Sequence, residues 1–162
     1  MTMKTLNINT AKKTIKKVKV GKGVKIYDFV NIYECSLGDY TQVGAFVEIQ
    51  KGVKIANRCR IQSHTFICEG VTIEEEVFIG HGVIFINDKN PSVRKTLDKT
   101  WTLEPILIKA GATIGSGAII MAGVTVGKKA FVGAGAVVIR NVADNSTVIG
   151  VPARPLRIKT KT

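Results

Sequence analysis

The sequence predicts an all-β fold, a parallel β-helix of about six triangular coils, on three observations. First, an aliphatic residue recurs every six positions at Val20, Ile26 and Ile32. After one five-residue step it recurs at Leu37, Val43, Ile49, Ile55, Ile61, Ile67, Ile73, Ile79 and Phe85. After a gap it resumes at Ile108, Ile114, Ile120, Val126, Val132 and Val138, for 18 hexads in all. A short fixed period dictates a solenoid. Second, a small or β-branched residue stands two before each beat, as at Val18, Thr41, Cys59, Ala112 and Ala136. Two inward positions two apart describe a short strand, because successive side chains alternate faces. Third, 15 of the 16 glycines fall immediately after the beat or three before it, where the chain must turn a corner. Three strands and three corners close one coil, so the prism stands roughly 30 Å tall at one strand spacing per coil.

The elements follow in order. Residues 1–17 form a basic N-terminal segment, residues 18–140 the β-helix domain, and residues 141–162 a basic C-terminal tail. Residues 88–104 interrupt the beat as one extruded loop of 17 residues containing the only tryptophan, Trp101. Loops inserted on a rigid scaffold usually carry binding.

Charge is placed at the two ends. Residues 1–25 hold eight lysines and no acid, and residues 145–162 hold four basic residues and no acid; these twelve equal the net charge of +12. The prism lacks a basic stripe interleaved with aromatics, so nucleic acid is not the expected partner. Phosphate-bearing small molecules fit the basic ends better. Residues 110–127 carry no charge, but five glycines and an unbroken beat argue against a membrane span. The lysine-rich start lacks the apolar run of a secretory signal. Cys35, Cys59 and Cys68 lack metal-ligand spacing and read as core thiols of a reducing cytoplasm.

Taking every third hexad sorts the outward residues onto faces. One face shows Asn31, Glu48, Phe66, Ile84, Ile119 and Val137; the second shows Lys25, Gln42, Arg60, Phe78, Thr113 and Phe131; the third shows Lys19, Ser36, Lys54, Thr72, Leu107 and Thr125. The first carries four consecutive apolar residues, the mark of an interface. One flat apolar face per prism suggests a homotrimer closed around a three-fold axis. Of the corners flanking that face, one carries Ser63 (with His64 beside it), His81, Ser116 and Ala134. The other carries Glu69, Asn87, Ala122 and Arg140. In a three-fold ring the first corner of one subunit meets the second corner of its neighbour. His81 and Asn87 would then face each other across the seam.

The hexads with one extruded loop, GSGAIIMAGVTVGKKAFVGAGAVV and the closing GVPARPLR resemble the hexapeptide-repeat acyltransferases. That resemblance implies a left-handed β-helix, against the usual right-handed crossover rule, trimers, and acetyl-CoA bound as co-substrate between subunits. The stretch IQSHTFICEGVTIEEEVFIGHGVIFINDKNP, followed by WTLEPILIKAGATIGSG, resembles the branch of 3-N-acetyltransferases that act on dTDP- or UDP-linked amino sugars. The histidines of SHTF and GHGV are shared with the dTDP-amino-sugar members and favour dTDP. By this resemblance Asn87 stands by the acceptor amine. Ser116, Gly117, Ala122 and Ala134 line the coenzyme groove, and Arg140, Arg154 and Arg157 meet its phosphates. Glu69, Asp88 and Trp101 are the candidates for binding the sugar.

The expected activity is acetyl transfer from acetyl-CoA to the amine of a nucleotide-linked 3-amino-3-deoxy sugar, for surface polysaccharide synthesis. His81 is the first candidate base and His64 the second, with proton transfer to the departing sulfur as the rival. Backbone N–H groups at Gly82 or Gly117 are candidates to polarise the thioester carbonyl. No metal is expected: a zinc carbonic anhydrase on this scaffold needs three seam histidines, and the chain has two. Transfer to a sugar hydroxyl or an amino acid, and a non-catalytic scaffold, are the remaining alternatives.

Overall fold

The structure, a computed structural model, describes residues 4–10 as backbone and residues 12–156 in full. Short parallel strands stack into the three ladders that the hexads predict. On the first face Asn31 pairs with Glu48, Glu48 with Phe66, Phe66 with Ile84, Ile84 with Ile119 and Ile119 with Val137. On the second, Lys25, Gln42, Arg60, Phe78, Thr113 and Phe131 run in register. On the third, the register is Lys19, Ser36, Lys54, Thr72, Leu107 and Thr125. The beat residues from Leu37 onward lie inside, with Phe85 the largest fully buried side chain.

The ladder runs beyond residues 18–140 at both ends. The strand Lys13–Val20 bends around a corner and pairs with Val30–Tyr33 and with Ser36–Leu37. Ile15 sits under Ile32 and Val20 under Leu37, so the five-residue step is one corner repeated in two coils. Ile15 is core, although a count in sixes back from Val20 passes it by. The strand Lys4–Thr10 folds antiparallel onto this first strand of the helix, inside the segment read as a basic arm. At the other end Val142 bridges to Val126, and Thr147–Ile149 extends the second face before turning back antiparallel through Arg154–Pro155.

Corners are stitched by side chains. The Lys22 N–H donates to Asp39 Oδ1 at 2.7 Å, and the Asp39 N–H donates to Asn57 Oδ1 at 2.8 Å. The amide of one coil therefore needs an oxygen-bearing side chain in the coil above. Glycine after the beat makes room for this close approach: a Cβ on Gly80 would lie 2.5 Å from the Ser116 nitrogen.

The three cysteines are buried and unpaired. Burial pushes the Cys35 thiol up to about 12 and the Cys68 thiol up to about 11, and it raises Cys59 as well. Above the ordinary thiol value near ~8.5 the unfolded chain loses these protons first. Stability from the protonated thiols is therefore complete below that pH and is lost as pH rises toward the folded values. The urea midpoint should fall between pH 8 and pH 11, and fall less in a Cys35→Ala/Cys68→Ala variant. Equal slopes in both proteins would refute the assignment.

Candidate functional site

Both corners flanking the first face are built by the same stacking. At the first, Ser63 Oγ lies 2.8 Å from His81 Nδ1, and the His81 N–H donates to Ser116 Oγ at 3.1 Å. Above Ser116 stands Ala134, which offers no side-chain oxygen. The Ser116 N–H is thus left without a partner among the described residues. His81, Ser116 and Ala134 are exposed. The anchoring of Nδ1 leaves Nε2 as the free edge of the His81 ring.

The amides of Gly82 and Gly117 are not free. The Gly82 N–H donates to Ser63 O at 3.0 Å, and the Gly117 N–H donates to His81 O at 2.7 Å. Neither polarises a thioester, because each is already spent in the corner ladder. Gly117 itself is exposed and borders the groove through its bare Cα.

At the second corner Asn87 Nδ2 donates to Glu69 O at 3.0 Å, which fixes the amide and leaves Oδ1 available. The Glu69 N–H donates to Gln50 Oε1 at 3.2 Å, and its carboxylate lies 3.4 Å from Lys51 Nζ. Within one chain His81 and Asn87 stand at opposite ends of the strand Ile84–Phe85 and do not meet. Ala122 does not serve as a coenzyme contact within this chain: it is 1% exposed. The reason is the loop. The Lys89–Glu104 ion pair at 2.5 Å closes the loop base, and a Cβ on neighbouring Gly123 would lie 2.8 Å from Glu104 Oε2.

The loop springs from this corner, and the Glu104 N–H donates to Asn87 O at 3.0 Å where it returns. It contains one short helix, Val93–Leu97, capped by Ser92, whose side chain accepts from the Lys95 N–H. Five residues are too few for a helical period to be visible in sequence. Asp88 Oδ1 accepts from the Asn90 N–H at 2.8 Å and so is engaged in the loop's own turn. Trp101 stands 38% exposed on the loop.

At the C-terminal end Arg140 and Arg154 line one cavity of about 320 Å³ with Val142, Val148 and Ala153. Two guanidinium groups around an apolar floor suit a phosphate-bearing ligand. Arg157 lies outside the described residues. Among the described residues no three His, Cys, Asp or Glu side chains converge on a metal site, and no helix is long and apolar enough to cross a membrane.

The sequence reading missed the aromatic residues of the first corner. Phe29 and Phe46 stack at 5.0 Å, and Phe46 stacks on His64 at 4.8 Å. All three stand three residues before a beat, so the period itself would have lined them up.

The family model for the bacterial transferase hexapeptide (six repeats) matches residues 34–69 and 105–140. A serine acetyltransferase of Buchnera aphidicola subsp. Acyrthosiphon pisum (strain APS) is 38% identical over 95 residues. That match covers 54% of this chain and only 29% of the relative's length. Among solved structures, a variant of AntD, an N-acyltransferase from Bacillus cereus in complex with dTDP and coenzyme A, superposes with a TM-score of 0.76. It is 22% identical, covering 88% of this chain and 84% of that one, and shows a shared fold. A hexapeptide-repeat acetyltransferase of Vibrio cholerae O1 biovar eltor, complexed with acetyl coenzyme A, is 25% identical at a TM-score of 0.62. There the match covers 82% of this chain and 72% of that one. The six-residue beat, the three parallel ladders and the matched repeats together show a left-handed parallel β-helix built from bacterial transferase hexapeptide repeats, with one extruded loop.

Proposed function

We propose that this protein is an acetyl-CoA-dependent N-acetyltransferase acting on the amino group of a nucleotide-linked 3-amino-3-deoxy sugar, in surface polysaccharide synthesis in the cytoplasm. The observation that carries the reading is the open column at the first corner. Gly117 and Gly135 leave it without side chains, and the bare Ser116 amide borders it. A pantetheine arm is a narrow chain of amides that fits such a column, with a carbonyl accepting from the Ser116 N–H. Its phosphates reach the Arg140 and Arg154 cavity at the end of the prism. Support also comes from the solved neighbours bound to coenzyme A and dTDP.

The chemistry requires a neutral amine, an acceptor for its proton and a donor toward the developing oxyanion. Asn87 Oδ1, from the neighbouring subunit of a homotrimer, accepts a hydrogen bond from the amine and turns its lone pair toward the thioester carbonyl. The amine nitrogen attacks that carbon. His81 takes the amine proton on Nε2, with Nδ1–H donating to Ser63 Oγ, and returns it to the coenzyme sulfur as the C–S bond breaks. A positioned base of this kind contributes about 10² to 10⁴ in rate. Glu69 and Trp101 flank the acceptor from the Asn87 corner and the loop, and Asp88 orders the turn that begins that loop.

Thiol release with a panel of dTDP- and UDP-linked amino sugars, against serine and free sugars as controls, tests the acceptor class. Turnover confined to serine or a simple sugar would refute it. Ala134→Trp tests the column. Ala134 is exposed and outside the core, so coenzyme affinity should fall roughly 100-fold, the scale of a lost central contact, with Tm nearly unchanged. Undiminished binding, measured by calorimetry, would place the coenzyme elsewhere.

A further inference from the structure

One corner position, three residues before the beat, is aromatic in the lower coils and glycine in the upper ones. From the N-terminal end it reads Phe29, Phe46, His64, Gly82, Gly117 and Gly135. All six share one left-handed backbone conformation, with φ from 59° to 69°. The three rings form a parallel stack, at 5.0 Å and 8° for the first pair and 4.8 Å and 21° for the second. Their spacing is that of the coils themselves, about 4.8 Å. Phe29 and Phe46 are 54% and 52% exposed, so the stack is a surface feature and not part of the core.

The stack ends in open space. A Cβ at Gly82 would meet nothing within 4 Å, and the same holds at Gly135. One face of the His64 imidazole rests on Phe46. The opposite face looks toward the coil where the next ring of the series is missing. His81 precedes Gly82 and borders that space, with Nδ1 held by Ser63 Oγ, and Ser63 in turn precedes His64. The space at Gly82 is therefore floored by an aromatic face and walled by the candidate base.

We propose that the sugar ring of the acceptor stacks on the free face of His64, in the space left by Gly82; this rests on the acetyltransferase reading above. A pyranose presents one face of C–H groups, which gains by leaving water for a flat apolar surface and by dispersion against it. A ring seated there carries its amino group beside His81. The nucleobase is excluded from this place by the diphosphate and sugar that separate it from the reacting amine. His64 is then a positioning residue, not a base. Phe29 and Phe46 hold its plane, and glycine at 82 is required because any side chain there would occupy the substrate's place.

Steady-state kinetics at saturating acetyl-CoA test this with three variants. His64→Leu removes the flat face and should raise the acceptor KM about 5- to 10-fold, within the range of aromatic stacking, with a smaller change in kcat. His64→Phe restores a flat ring and should return KM to within about twofold of wild type. Gly82→Asn keeps a residue that tolerates positive φ while filling the space, and should raise KM at least as much as His64→Leu. Coenzyme A affinity and inhibition by the nucleoside diphosphate alone should be unchanged in all three. A His64→Phe protein as impaired as His64→Leu, or an unchanged KM in Gly82→Asn, overturns the proposal and leaves the acetyltransferase reading intact. Nucleoside diphosphate inhibition weakened by His64→Leu would put the base in the gap and likewise overturn it. A wild-type protein that acetylates no nucleotide-linked amino sugar overturns both.

Discussion

His81→Ala and Asn87→Ala proteins, each purified alone, are expected to lose activity by roughly 10² to 10⁴-fold, and subunits mixed from the two are expected to regain it. His81 and Asn87 stand at the two ends of one short strand, Ile84–Phe85, on opposite edges of the first face. A single chain cannot bring them to one amine, whereas a three-fold ring of such faces sets each corner against the other corner of a neighbour. In a mixed trimer the His81→Ala chain supplies an intact Asn87, and its neighbour supplies an intact His81. Every mixed trimer then holds one wild-type site, and random equimolar mixing should restore about one quarter of wild-type activity. Each parent is mutated at every site, so neither contributes to that figure. Mixed trimers no more active than the parents, with assembly verified by native mass spectrometry, would refute the shared site. A fully active His81→Ala homotrimer would remove only the base and favour proton transfer to the leaving sulfur.

The Ile84→Glu/Ile119→Glu protein is expected to sediment as a monomer. The two residues are adjacent rungs of the first face, with Phe66 below and Val137 above. In the single chain Ile84 is 42% exposed, and Phe66, Ile119 and Val137 are half-buried. At a closed three-fold interface the variant would bring six carboxylates together away from water. Even partial burial of unpaired charge costs several kcal/mol, well above what one loosened contact returns. The fold should survive, because both side chains point out of the prism. Circular dichroism and Tm should change little while the sedimentation coefficient drops. An unchanged trimer would show that another face forms the seam.

How far sequence alone reaches is seen in Phe66 and Ile84. They are 18 residues apart, yet counting three hexads pairs them, and the ladder does pair them. The count succeeds because alternation along a strand fixes which side chains face inward, and a constant coil length fixes what stacks on what. The composition of the three faces, the apolar strip and the base of the inserted loop all follow. The count fails at the N-terminal end of the prism. It missed Ile15 and the strand around it, because the step from Ile15 to Val20 is five residues.

Other features were decided only by the folded coil. The Gly82 and Gly117 amides looked free as sequence but are held by Ser63 O and His81 O, partners a full coil away. Ala122 looked like a groove residue until the loop base closed beside it. The Ser116 amide was left open because Ala134, 18 residues later, lacks a side-chain oxygen to accept from it. Sequence therefore determined the scaffold, because its order is a single period written into side-chain polarity. The chemistry of the corners was left to tertiary structure, because whether a backbone N–H is free depends on which carbonyl or side chain a neighbouring coil stacks against it.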